Sequence, residues 1–151
     1  MSPAPNAADA ELILKLYDLR REAEARKARS WWFGFWPEKT DDVVRIASAM
    51  GTQENAWFRQ VSGYWEMAAA LVLHGTVNRD LFLEPSICGE MFFIFAKIHP
   101  FLDELREKLH SPTVFRNVER LIMTSEGGPE RLKQVQERQA RLRKSSQSAV
   151  A

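Results

Sequence analysis

Residues 87–109 read ICGEMFFIFAKIHPFLDELREKL, and the spacing within this stretch decides the fold. Ile87, Met91, Ile94, Ile98, Phe101, Leu105 and Leu109 step by four, three, four, three, four and four residues. That rhythm is one buried face of an α-helix. A second stripe, Cys88, Phe92, Phe95, His99 and Leu102, runs beside it, and residues 91–96 contain no polar side chain. The phase passes through Pro100 unshifted. An interior proline removes one backbone hydrogen bond and crowds the preceding turn, at roughly 3 kcal/mol. A single helix kinked over residues 96–100 is therefore expected, not a break.

Working outward, residues 53–74 form a second long helix closed by Gly75. Trp57, Val61, Tyr64, Trp65, Ala68 and Val72 make its apolar stripe. A polar stripe of Asn55, Arg59, Ser62 and Glu66 stops at Glu66, and residues 67–73 carry no polar side chain, so the second half should lie deep. A short link over residues 75–85 predicts that the two helices pack antiparallel. Before them, Asp9 is expected to cap a helix reaching Arg29, with Leu12, Leu16, Leu19 and Ala23 on one face. Thr40 should cap a short helix carrying Val43, Val44, Ile46, Ala47 and Met50, stopped by Gly51. Asn78 caps a short turn. Ser111 and Pro112 open a helix bearing Val114, Phe115, Val118, Leu121 and Ile122, and a charged helix follows from Pro129 to Lys144. The expected architecture is all-α: a single-domain bundle of five to six helices around two long antiparallel apolar helices. Its predicted parts are a disordered start (1–8), the helical bundle (9–128), and a basic C-terminal helix and tail (129–151), disordered from Ser145.

Composition narrows the function classes. In 151 residues, 45% hydrophobic and 27% charged, one core can form, and a net charge of +1 supplies no global field for nucleic acid or anionic lipid. One cysteine, Cys88, leaves no intrachain disulfide and fits a reducing compartment. Residues 1–9 lack a basic and apolar leader pattern, so no secretory signal is expected. Glu90 and Lys97 interrupt the best apolar stretch, so no membrane span is expected. A cytoplasmic location follows as an expectation, with peripheral membrane contact left open.

Residues 57–122 also carry a set of local patterns. These are Leu71-Val-Leu-His-Gly75, Arg79-Asp-Leu-Phe82, Pro100-Phe-Leu-Asp-Glu-Leu-Arg106 and Phe115-Arg-Asn-Val-Glu-Arg-Leu121. In this order they resemble an uncharacterised family of small bacterial helical domains, whose members often follow one or two N-terminal membrane helices. The chain departs from that pattern, since no apolar span precedes the domain. The resemblance implies a helical fold and no catalytic residue.

Direct signs of chemistry are few. Glu107 and His110 have the Glu-x-x-His spacing of di-iron bundles, but that site needs two such motifs plus two further carboxylates, and a solvated helix end is the simpler reading. Cys88 and His99 share a face about 16 Å apart at 1.5 Å per residue, too far for one ion. His99 is expected to bond a carbonyl freed by Pro100, and Cys88 to be a buried inert thiol. Residues 46–61 have faint helix-turn-helix character, offering Gln53, Asn55, Arg59 and Gln60 among Trp57, Phe58, Tyr64 and Trp65, which packing explains better. Residues 130–144 hold six basic against two acidic side chains and no aromatic for base stacking, as in a solvated terminal helix or a partner-binding arm. No metal, no cofactor and no strong nucleic-acid signal are expected, nor any catalytic residue.

Residues 30–37, SWWFGFWP, read as a breaker segment dense in aromatics. Trp31, Trp32, Phe33, Phe35 and Trp36 form the candidate interaction patch. They would be covered by the bundle itself, foremost by residues 67–73, or by a second copy, or by lipid. The leading expectation is a non-catalytic interaction or structural module, self-associating or bound to a protein partner. The alternatives are a ligand-sensing regulator with a pocket under residues 31–36, and a membrane-surface module.

Overall fold

A computed structural model describes residues 3–150. Met1, Ser2 and Ala151 lie outside the described residues, so the disorder expected of the two ends is not addressed there. The chain is all-α, with nine α-helical segments among the described residues, or eight rods if the two halves of the kinked helix are taken together. Five to six were expected. The surplus comes from a split in the first helix and from one four-residue segment.

Helix α1 spans Ala7–Leu19. Its cap is Asn6, not Asp9: the Asn6 side chain accepts from Ala8 N at 2.8 Å and Asp9 N at 3.3 Å, while Asp9 accepts from Asn6 N at 2.8 Å. Asp9 turns its other oxygen to Asn78 N, 2.8 Å away, and the Asn78 amide reaches Pro3 O at 2.7 Å. The expected single helix to Arg29 is interrupted after Leu19. Helix α2, Ala23–Gly34, starts anew with the Glu22 carboxylate accepting from Ala25 N at 3.0 Å. Of the predicted first face only Leu16 is buried. Ile13 joins it, and Leu19 is 53% exposed. The supposed breaker is helical through Gly34, since Ala28 and Trp32, four residues apart, both face the core.

Helix α3 covers Thr40–Ser48. Its first turn is held by Asp42, which accepts from Glu38 N and Lys39 N, whereas Thr40, the expected cap, donates to Glu104 at 2.6 Å. Helix α4, Gln53–Leu73, is capped by Thr52 and closed at Gly75, whose φ of +78° suits the left-handed stop. Helix α5 is Arg79–Phe82. Helix α6, Pro85–Ile98, runs into a 3-10 turn at His99–Phe101 and on into α7, Leu102–Lys108. This is the expected kink at Pro100. The carbonyl that Pro100 leaves without a partner, Ala96 O, faces the Gln136 amide at 3.5 Å, and the same amide nitrogen meets His99 Nδ1 at 3.3 Å. His99 therefore pairs with a glutamine side chain and not with the freed carbonyl.

Helix α8 begins at Arg116 and ends at Met123; Ser111 and Pro112 do not open it. Its first turn is capped from α4, where the Glu66 carboxylate accepts from Asn117 N at 3.2 Å and Val118 N at 2.8 Å. Helix α9, Gly128–Val150, continues past Ser145. It lies along α6, where Gln139 donates to Phe93 O at 2.7 Å.

The core is centred on residues 91–98 and on Phe58, Val61, Trp65, Ala68 and Val72 of α4. Each large side chain buried there contributes on the order of 1.5–3 kcal/mol. The two long apolar helices do not form each other's closest pair. Helix α4 lies nearest α2 and α8, and α6 lies nearest α9. Trp65 of α4 meets Phe82 of α5 edge-on, 6.3 Å between ring centroids. No helix among the described residues is long and apolar enough to cross a membrane.

Candidate ligand-binding cleft

A charge inside an apolar helix must find partners, because stripping its water is costly. Glu90 sits in α6 with only 6% of its side chain exposed. Its partners come from three other parts of the chain. Arg20, the residue that closes α1, donates from Nη2 at 3.0 Å. Arg29 of α2 donates from Nε to the same oxygen. Trp65 of α4 donates its indole N–H to the other oxygen at 2.9 Å. One carboxylate thus joins α1, α2, α4 and α6; the chain leaves the helical path at Glu22, whose ψ of 143° opens α2.

The Arg20 guanidinium lies 5.1 Å from the Trp65 ring centroid and 6.0 Å from that of Tyr17. Its Nε is buried without an acceptor among the described residues. Tyr64 donates to Leu16 O at 2.7 Å, tying α4 to the end of α1. Burial pushes the Tyr64 pKa up to about 12, with Arg20 opposing.

Two cavities open beside this cluster and share Arg20 and Tyr64. The first, about 270 Å³, is walled by apolar side chains of α1 and by Trp65, Phe82 and Ile87. It opens past Leu14 and Tyr17, which are 66% and 57% exposed. The second, about 290 Å³, lies between Leu19, Ala25, Val61 and the Arg29–Glu90 pair, with Glu22 at its rim.

The predicted patch lies elsewhere and is turned inward. Trp32 is 1% exposed and stacks on Phe58 at 5.1 Å between centroids. Trp31 stacks on Phe35 at 4.7 Å. Phe33 and Trp36 meet Phe93 of α6. The rings therefore cover Phe58 and Phe93, not residues 67–73, and a cavity of about 380 Å³ lies beside Trp36, Lys97 and Arg143. Phe33, 49% exposed, is the most open of the five.

The anchor of this segment is Lys97. Its ammonium donates to the carbonyls of Trp32, Phe33 and Phe35, and lies 3.8 Å from the Trp36 centroid. It neutralises the carbonyl end of α2, where a cation is favoured. Burial, with Arg143 second, draws the Lys97 pKa down to about 7, against the pull of three acceptors that favour the ammonium.

The other candidates disperse. Burial raises the Cys88 pKa while Arg131 opposes, as for an unreactive thiol. His74 and His110 are exposed, and no cluster of three His, Cys, Asp or Glu able to hold a metal occurs among the described residues. Asn55, offered as a base reader, is 1% exposed and donates to Ile46 O and Ala47 O, closing α3. Of the basic C-terminal residues, Arg131 lies over Phe92 and Arg143 pairs with Glu38 of the bundle.

From sequence, Tyr64 stood only in the apolar stripe of α4 and Glu90 and Lys97 only as interruptions of an apolar stretch, and none of Arg20, Arg29, Tyr64, Glu90 and Lys97 was assigned to a site. A signal existed: Glu90 and Lys97 are lone charges inside an apolar helix, and such groups require partners. Which partners is not encoded locally.

A family model described as "Domain of unknown function (DUF4760)" matches residues 5–125, spanning α1 to α8 and every residue of the cleft. No curated protein and no solved structure gives a match.

Proposed function

The chain belongs to the DUF4760 family, domains of unknown function, and from that premise we propose that it is a non-catalytic helical binding module whose ligand seat is the cleft where α1 meets α2. The observation that carries this is the coupling of the cavities to Arg20. The residue that lines both is also the one that ends α1 and reaches Glu90 of α6. A ligand touching Arg20 bears on the angle between α1 and α2, which is what a sensing module requires. Apolar walls with few polar groups are the usual make-up of a small-molecule site. The ligand-sensing alternative, expected under residues 31–36, is proposed instead for residues 13–29 and 60–90, where the cavities meet Arg20.

Self-association has Phe33 as its main remaining exposed ring in residues 31–36. A bacterial, cytoplasmic setting accords with the buried free Cys88 and with the family resemblance. The test is a panel of small amphiphiles with acidic, neutral and basic head groups, read by tryptophan fluorescence and amide exchange. Binding of a panel member with slowed exchange over residues 16–25 supports the module. A panel without a binder, with exchange unchanged, removes it. Light scattering on the same samples reads the oligomeric state.

A further inference from the structure

The two cavities differ in charge. Around the second, Arg20 and Arg29 face Glu90 and Glu22, an even balance. Around the first, Arg20 is the only charged side chain among the described lining residues. Glu90 does not cancel it fully, because its two oxygens are already shared between Arg20, Arg29 and Trp65. Arg20 thus keeps donors to spare beside an otherwise apolar pocket: only Nη2 is spent on Glu90, and Nε has no acceptor among the described residues.

From this we infer that the first cavity takes a small amphipathic monocarboxylate, its head at Arg20 and its apolar or aromatic tail along α1. This deepens the binding-module proposal and rests on it. A planar guanidinium suits a carboxylate, and Arg20 spends only Nη2 on Glu90. The carbonyls ending α1 would repel an anion, but they are engaged: Leu16 O by Tyr64, Tyr17 O by Arg20 N and Asp18 O by Arg21 N. The tail meets Ile13, Leu16, Phe82 and Ile87, and Ser86 offers a hydroxyl at the rim. A volume of about 270 Å³ lies between a benzene-sized hole, about 150 Å³, and the larger drug-sized pockets. That admits one ring or a chain of about seven carbons. A phosphate dianion would bring two negative charges to one guanidinium that Glu90 already partly neutralises.

The experiment titrates the full chain with octanoate, octanol and octylamine, reading tryptophan fluorescence, to which Trp65 of the cavity wall contributes, and melting temperature. Octanoate should bind at least about tenfold more tightly than either control, as one charge-assisted hydrogen bond would give. Arg20→Gln should erase that preference. Ser86→Phe, which blocks the rim and leaves the Arg20–Glu90 contact intact, should weaken octanoate at least about tenfold and keeps the test open if Arg20→Gln fails to fold. Equal binding of octanol and octanoate overturns the carboxylate head while leaving the binding module standing. Octanoate binding untouched by Ser86→Phe overturns the site. No binding by all three probes overturns both the ligand class and the cleft.

Discussion

The Lys97 ammonium sits 3.8 Å from the centre of the Trp36 ring and bonds three carbonyls at the end of α2. A charge-assisted bond to a carbonyl is worth more than a neutral one, and carbonyls stripped of their donor lose it outright. Lys97→Met should therefore lower stability by about 1–3 kcal/mol in urea unfolding, with faster amide exchange confined to residues 32–37. Unchanged or raised stability would show that the cost of burying the charge outweighs the clamp.

Glu66 holds the start of α8 with both carboxylate oxygens, and α8 has no side-chain cap of its own. Glu66→Ala should cost about 0.5–2 kcal/mol, the range for losing an N-cap. Glu66→Gln, which keeps an acceptor but loses the charge that favours a helix N-terminus, should fall between. If both variants melt with the wild type, the cap carries no stability.

Tyr64 gives the pH dependence. Its folded pKa, about 12, lies above the unfolded value near 10. The folded state thus holds the phenolic proton more tightly. The contribution is fully present below pH 10 and is lost as pH rises through 12. The stability gap between wild type and Tyr64→Phe should be constant up to pH 10 and narrow from there to pH 12. A phenolate band assigned to Tyr64 that appears at pH 10 in the folded protein contradicts this.

Gly128 opens α9 with no room for a side chain. A Cβ there would stand 1.9 Å from Ile122 O. The obstacle is backbone, so α9 would have to move against α8. Gly128→Ala should destabilise by more than the roughly 1 kcal/mol that alanine normally gains over glycine in a helix, and calorimetry should show a lower melting temperature. A higher one would mean that the α8–α9 join is more pliable than its geometry.

Leu105 is fully buried on α7, beyond the kink. Leu105→Ala should cost about 2–5 kcal/mol in urea unfolding. A loss under about half a kcal/mol would separate the stripe after Pro100 from the core.

The α-helical class, the long α4 and the kinked α6–α7 rod were all legible in the sequence. Helical periodicity is local information, and burial of Met91, Ile94, Ile98 and Leu105 follows from spacing alone. So does the kink, since Pro100 lacks its N–H whatever surrounds it. Gly75 likewise announces its own stop.

The helix ends and the cleft were decided only by tertiary structure. Residues 19–23, LRREA, are good helix formers, so nothing local marks the break between α1 and α2 or the contact of Arg20 with Glu90, seventy residues on. The start of α8 is set by Glu66, and the fate of Ala96 O by Gln136, both from other helices. The Trp-rich segment showed its need for cover through composition, but Phe58, Phe93 and Lys97 became its cover only when three helices met. Spacing fixes which face of a helix is buried. It does not fix which charge on another helix will meet it, because desolvated partners are chosen by three-dimensional proximity.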